Sequence, residues 1–282
     1  MSWLLFALLF WVGGWLVNAW LANSKWHKTT LVRVLIPVLF GVTLIMLWEG
    51  IVRGFGVSPV ILPAPSTVAA TFANSTEMLW VDFRQTVLKG ALSGFLIGVT
   101  AAFLTAILID RSAFLTRGLL PIGNFVAALP IVGIAPILVS WFGFDWQSKA
   151  AVVVVMVFFP VLVNTVQGLR ETDAMQRDLM RTYAASYRDT LIKLRLPAAL
   201  PFVFNGLKIA TTLALIGAIV AEYFGSPTRG MGFRISTGVG SLSIDLVWAE
   251  IAVAAMAGTA FYGLVAWIEK RVTFWHPSHR SG

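Results

Sequence analysis

Residues equipped for covalent chemistry are few in this chain, and they are scattered. There are no cysteines, which excludes disulfides, thiolate metal sites and thiol nucleophiles. The three histidines, His27, His276 and His279, all fall in polar loops or tails. A metal site needs several ligands converging on one point, so none is expected here. No Gly-x-x-x-x-Gly-Lys-[Ser/Thr] sequence occurs, and no lysine follows a glycine. The chain therefore has no P-loop with which to cradle ATP phosphates. Inside the apolar stretches the ionisable residues are isolated, whereas an intramembrane hydrolase needs a Ser/His, Asp/Asp or metal cluster. The chain is expected to catalyse nothing itself and to carry no cofactor.

The elements that hold the remaining polar residues are membrane spans. Of the 282 residues, 58% are hydrophobic and 12% charged, about half the charge of a soluble domain. The apolar residues come in blocks of about 20, the length that crosses a bilayer core as a helix. Seven blocks are predicted as helices: Trp3–Ala22, Val34–Ile51, Thr86–Ile109, Gly118–Phe142, Ala150–Leu169, Pro201–Phe224 and Leu246–Ile268. The net charge of +8 does not indicate nucleic acid, because Lys and Arg sit between the blocks and not on one face. The loops alternate in basicity. The richer set holds Lys25, Lys28, Arg33, Arg111, Arg117, the Arg170–Arg195 stretch, Lys270, Arg271 and Arg280; the poorer set holds Arg53, Arg84, Lys89, Lys149, Arg229 and Arg234. The positive-inside rule makes the first set cytoplasmic, with the N-terminus outside and the C-terminus inside. Trp48, Trp80, Trp141, Trp146 and Trp248 then form a belt at the outer interface. The first block lacks a preceding basic residue and a small-x-small cleavage site, so it reads as a retained helix.

Between the second and third blocks, Leu62-Pro63-Ala64-Pro65-Ser66 forces an extended backbone. Ser66 or Thr67 is expected to cap a short outer helix running to Phe72, and Asn74-x-x-Glu77 to cap the next one. Pro130 and Pro136 are expected to break the fourth block, and Phe159-Pro160 to interrupt the fifth. Such breaks free backbone carbonyls, which serve either helix packing or a polar path. Asn164 has two readings of the same kind, an interhelical bond or a solute contact. Glu222, near the outer end of its block, is expected to pair with Arg229 or Arg234, with solute contact as the alternative. Lys208 can snorkel to the cytoplasmic interface.

The longest cytoplasmic stretch, Glu171–Pro197, is patterned. Asp173-x-x-Gln176 is a capping pair; Met175, Leu179 and Tyr183 follow on one face, with Asp173, Arg177 and Arg181 opposite. Ser186-x-x-Asp189 is a second capping box, and Pro197 and Pro201 are expected to end that helix and start the next span. Helix, turn, helix with mixed charge fits two uses: a pair of helices lying on lipid headgroups, or a docking element for another protein.

This segment resembles the coupling helix of permease subunits in bacterial ABC importers, whose motif is Glu-Ala-Ala, three residues, Gly, nine residues, Ile-x-Leu-Pro. The motif falls on Asp178-Leu179-Met180, Ala184 and Leu194-Arg195-Leu196-Pro197, with Ala in the place of the turn glycine. Further segments resemble, in order, the branch that moves taurine, alkanesulfonates, nitrate and thiamine-precursor pyrimidines. They are Leu62–Ser66, Leu129-Pro130 with Ala135–Leu138 and Trp141–Gly143, Phe159-Pro160 with Asn164-Thr165, Gly206–Ala210, and Ala221–Phe224 with Gly230-Met231-Gly232. The resemblance covers roughly residues 45–272.

The resemblance implies an all-α membrane protein with the six-helix type I ABC importer core plus one extra N-terminal helix. Residues 1–30 are then that helix and its linker, and residues 31–282 the permease domain with its coupling helix at 171–197. It implies a second permease copy, two ABC ATPase subunits that bind ATP and Mg, a periplasmic or lipid-anchored solute-binding protein, and a place in the bacterial cytoplasmic membrane. Docking falls to Asp178, Arg181, Thr182, Tyr183, Ala184, Ala185, Ser186 and Pro197. The translocation pathway falls to Pro130, Pro136, Phe159, Asn164 and Glu222. The solute is expected to be a small organic or inorganic anion or a small heterocycle. A secondary transporter or channel of another class is the rival, but such proteins commonly carry acids or histidines in mid-span.

Overall fold

The computed structural model describes residues 2–27, 29–225 and 228–275, so Lys28, His276, His279 and Arg280 lie outside the described residues. The regular structure is helical throughout the described residues. The helices are α1 (Ser2–Asn23), α2 (Thr30–Phe55), α3 (Pro65–Asn74), α4 (Thr76–Asp110), α5 (Ala113–Ala127), α6 (Ile131–Phe142), α7 (Trp146–Arg170), α8 (Ala174–Thr182), α9 (Tyr187–Gly225), α10 (Met231–Gly240) and α11 (Ile244–Val272). Among the described residues, α1, α2, α4, α7, α9 and α11 are long and apolar enough to cross a membrane. The chain forms two compact units, Met1–Glu77 with Thr237–Ile251, and Met78–Ser236 with Ala252–Gly282.

In the first unit α1 lies on α2 through small residues. A Cβ on Gly50 would sit 2.2 Å from that of Ala7, and one on Gly54 would sit 2.4 Å from the Leu4 side chain. The Arg53 guanidinium lies 5.2 Å over the Trp3 ring. The expected Ser66 cap is replaced by one from another helix. The N-cap of α3 is Ala64, Pro65 occupies the first turn, and Glu49 of α2 accepts both the Ser66 N–H (2.9 Å) and the Ser66 hydroxyl (2.7 Å). A carboxylate at a helix N-terminus satisfies free N–H groups and the helix dipole together. Asn74 does not cap; it is the last residue of α3.

The second unit is built on α4, α7 and α9. Along α4, residues four apart are buried in succession: Asp82, Thr86, Gly90, Gly94, Gly98, Ala102 and Ala106. The same spacing on α7 buries Lys149, Val153, Val157, Val161, Thr165 and Leu169, and on α9 it buries Ala210, Ala214, Ala218 and Glu222. Rows of this spacing are the ridges by which helices interlock. Lipid supplies no hydrophobic drive between helices, so close approach through small residues holds them. The fit leaves little room: a Cβ on Gly94 would meet the Ala150 carbonyl oxygen at 2.8 Å, and one on Gly98 the Val157 side chain at 2.4 Å.

The prolines act differently from one another. Pro130 breaks the fourth block, dividing the expected Gly118–Phe142 span into α5 and α6, and stands as the N-cap of α6. Pro136 lies inside α6 without ending it, and Pro160 lies inside an unbroken α7. Pro197 and Pro201 do not start a new helix either, since α9 runs through both. A π-helical turn, Leu191–Arg195, ends two residues before Pro197, with the Leu196 N–H reaching back to the Leu191 carbonyl. The wider turn re-routes the backbone bonds where proline offers no N–H and its ring crowds the preceding turn.

Candidate functional site

The Glu171–Pro197 segment folds as α8, a tight turn and the start of α9. At its entrance the Asp173 N–H donates to Gln176 Oε1 (3.1 Å), and Arg177 donates to the Thr172 carbonyl. Asp178 pairs with Arg181 at 3.2 Å on an open surface, which contributes little in water. Met175, Leu179 and Tyr183 are 83%, 57% and 76% exposed, so the apolar row of α8 is bare.

Helix α8 ends in a Schellman motif. The Ala184 N–H donates to the Arg181 carbonyl at 2.8 Å, and the Ala185 N–H to the Met180 carbonyl at 3.0 Å. That motif requires a left-handed residue at its first position beyond the cap, and Ala184 takes it with φ 51°. An L-residue there costs about 1–2 kcal/mol. The turn is therefore made in the conformation that suits glycine, at Ala184's expense.

Ser186 then caps α9. Its hydroxyl oxygen accepts the Asp189 N–H at 3.2 Å, and Lys193 pairs with Asp189 at 2.7 Å. The Lys193 ammonium and the Ser186 hydroxyl hold the exposed Asp189 carboxyl down to about 2. This part of α9 precedes the apolar stretch that begins at Pro201.

Beneath the segment lies an anchor whose partners are far apart in the sequence. Asp110, the last residue of α4, receives two parallel bonds from the Arg195 guanidinium, both 2.6 Å, and one from the Tyr187 hydroxyl at 2.8 Å. Arg195 Nε donates to the Leu169 carbonyl at 2.9 Å. The Asp110 and Arg195 side chains are 7% and 16% exposed. Burial and the Asp110 bond both raise the Tyr187 phenol above its ordinary pKa. The Arg111 guanidinium stacks 4.7 Å over the same ring.

The opposite end of the three-helix core carries a second polar cluster, and it takes in Glu222. Glu222 accepts the Thr86 hydroxyl (2.6 Å) and the Gly232 N–H (3.1 Å). The Met231 N–H donates to Thr86 Oγ1 (2.8 Å), and the Gly230 N–H to Asp82 (2.6 Å). Asp82, Thr86 and Glu222 thus satisfy the free N–H groups that open α10. Of the two arginines expected near Glu222, Arg234 pairs instead with Asp82 at 2.8 Å. Lys149, fully buried, holds the end of α9, its ammonium donating to the Gly225 carbonyl at 2.7 Å and the Phe144 carbonyl at 2.5 Å. Gly230, at φ 115°, and Gly232 admit no side chain, since a Cβ would sit 2.5 Å from the Glu222 carboxylate or 2.1 Å from the Ile219 carbonyl.

The remaining pathway candidates are spread out. Pro130 and Pro136 are exposed. Phe159 is half-buried and meets Phe158 edge-on at 5.0 Å. Asn164 donates to the Pro160 carbonyl (2.8 Å) and accepts from Asn205 of α9 (3.0 Å), so its side chain makes the interhelical bond. Lys208 is paired with Glu269 at 2.8 Å, which supplies a partner inside the protein in place of the interface.

Comparison with known proteins fits this arrangement. Residues 94–274 match the family described as binding-protein-dependent transport system inner membrane component. A probable ABC transporter permease protein of Haemophilus influenzae is 33% identical over 240 residues, 85% of this chain and 97% of the relative. The formylaminopyrimidine transport permease protein ThiX of Halalkalibacterium halodurans is 29% identical over 86% of this chain and 96% of its own length. The taurine transport system permease protein TauC of Escherichia coli is 27% identical over 89% and 94%. These relatives are named as transport permeases and not as enzymes. The chain belongs to the binding-protein-dependent transport system inner membrane components, as a multi-pass ABC transporter permease, a family that implies an ATPase and a solute-binding protein as partners.

Proposed function

We propose that α8 and the turn after it, Asp178–Ser186, seat in a groove of the partner ATPase, and that Leu196-Pro197 carries the chain back to the membrane. The observation behind this is the bare row Met175, Leu179 and Tyr183 on a helix capped at both ends. The Asp110 end of the core then faces the cytoplasm and the Asp82 end faces outward, with the N-terminus outside and the C-terminus inside. Two permease copies line one pathway, and two ATPases bind the ATP and Mg. Closure of the ATPases draws the docking helices together, and packed spans rock as rigid bodies to switch the side to which the pathway opens. Pro130, Pro136, Phe159 and Asn164 border that pathway, and Glu222 holds its outer wall in shape. The solute is a small anion or heterocycle, in keeping with the taurine and formylaminopyrimidine of the relatives' names. Its identity is read from the ligand carried by the solute-binding protein that stimulates ATP hydrolysis in the reconstituted complex.

Ala184→Trp places a large side chain on the docking turn, and Asp178→Arg reverses a charge beside it. Each is expected to abolish co-purification of the ATPase with the permease. If the ATPase stays bound and transport continues in both, the docking role is wrong.

A further inference from the structure

We propose that Asp110 is the joint through which movement of the docking segment enters the membrane core. The proposal rests on the docking role of Asp178–Ser186. The segment leaves α7 at Arg170 and joins α9 at Tyr187. Both attachments reach one guanidinium–carboxylate pair, whose carboxylate belongs to neither helix. Tyr187, the first residue after the docking turn, donates to Asp110 Oδ2. Arg195, one turn of π-helix before the apolar part of α9, holds both Asp110 oxygens and also the Leu169 carbonyl at the end of α7. The cytoplasm-facing ends of α4, α7 and α9 therefore meet at a single guanidinium–carboxylate pair.

Charge and geometry suit the pair to bearing load. Two parallel bonds between guanidinium and carboxylate fix orientation as well as distance. The pair is mostly sheltered from water, which leaves it little screened. Asp110 also terminates the stripe of small residues along which α4 packs on α7, so a pull on Asp110 acts along a closely packed contact. Without the carboxylate, the end of α4 would be linked to the docking segment only by packing and the stacking of Arg111 on Tyr187.

The test uses the whole permease–ATPase complex and the chain's lack of cysteine. Spin labels are placed on Ala174→Cys in α8 and Leu108→Cys near the end of α4, both exposed. Their separation is measured by pulsed electron paramagnetic resonance, nucleotide-free and trapped with ATP, Mg and vanadate. With Asp110 intact, docking helix and α4 move together, and the separation changes by less than about 2 Å, the size of ordinary helix shifts. In Asp110→Asn the ATPase stays bound, but trapping shifts or broadens the distance beyond that range. Tyr187→Phe and Arg195→Lys, which keep the carboxylate, give smaller broadening and replace Asp110→Asn if that variant does not assemble. A wild-type separation that itself changes on trapping, or variants that behave like wild type, would overturn the joint. Failure of the unmodified permease to retain the ATPase would instead remove the docking role beneath it.

Discussion

The two ends of the α4–α7–α9 core are both tied by buried charge, but to different kinds of partner. At the Asp82 end, Asp82, Thr86, Glu222 and Lys149 bond mainly to backbone N–H and carbonyl groups of the chain around Gly225–Gly232. At the Asp110 end, Arg195 and Tyr187 meet the carboxylate side chain to side chain. A backbone partner has no rotamers, so the first cluster fixes one local structure. A pair of side chains can stay bonded while the helices beneath them tilt. The first arrangement suits a rigid wall and the second a transmission point. The surroundings agree: Asp82 is fully buried, while the segment above Asp110 is largely exposed.

The largest expected effect separates these two ends. Asp82→Ala leaves Arg234 without its carboxylate and the Gly230 N–H without its acceptor, a loss of roughly 3–5 kcal/mol. Asp110→Asn keeps a hydrogen-bonding side chain of the same size and loses about 1–3 kcal/mol. Thermal unfolding of the detergent-solubilised permease should show the first as much the less stable. Equal losses would break the contrast drawn between wall and joint.

A smaller effect is expected at the docking turn. Ala184→Gly relieves the left-handed alanine but adds freedom to the unfolded chain, for a net gain of about 0.5–1 kcal/mol. That corresponds to about two- to fivefold slower hydrogen exchange at the Ala185 amide. Ala184→Val, branched at Cβ, should speed the same exchange. An unchanged rate in both would mean that the turn is not held in its left-handed form in solution.

The smallest effect concerns pH. Asp189 is ionised well below the usual aspartate range, so its support of the Ser186 cap is complete above that range and is lost only as pH falls through about 2. Between pH 8 and 5 the capping box should not change. Carbon-13 NMR of the labelled carboxyl would read the midpoint, and a midpoint near 4 would mean that Lys193 and Ser186 do not hold it.

Much of the fold was legible in the residues. Apolar block length gave six spans, the fourth block being divided at Pro130, and capping residues located α8 and the start of α9 within a residue or two. Two kinds of feature escaped. Proline was read as a helix breaker, yet Pro160, Pro197 and Pro201 sit inside continuous helices, a π-turn preceding Pro197. Charged partners were sought close in sequence, and the bonds run far: Thr86 to Glu222, Asp82 to Arg234, Asp110 to Arg195. One signal was available. The four-residue stripe of α4 begins at Asp82 and, continued past Ala106, ends at Asp110, which marks both as facing other helices.

The sequence by itself determined that this chain spans a membrane, lacks a P-loop motif and presents a capped amphipathic segment, because those properties follow from composition, periodicity and neighbours within one or two turns. Tertiary structure decided which partners Glu49, Asp82, Asp110 and Glu222 take. A buried charge takes whichever complementary group packing brings to it, and close packing of small residues brings together positions far apart in the chain.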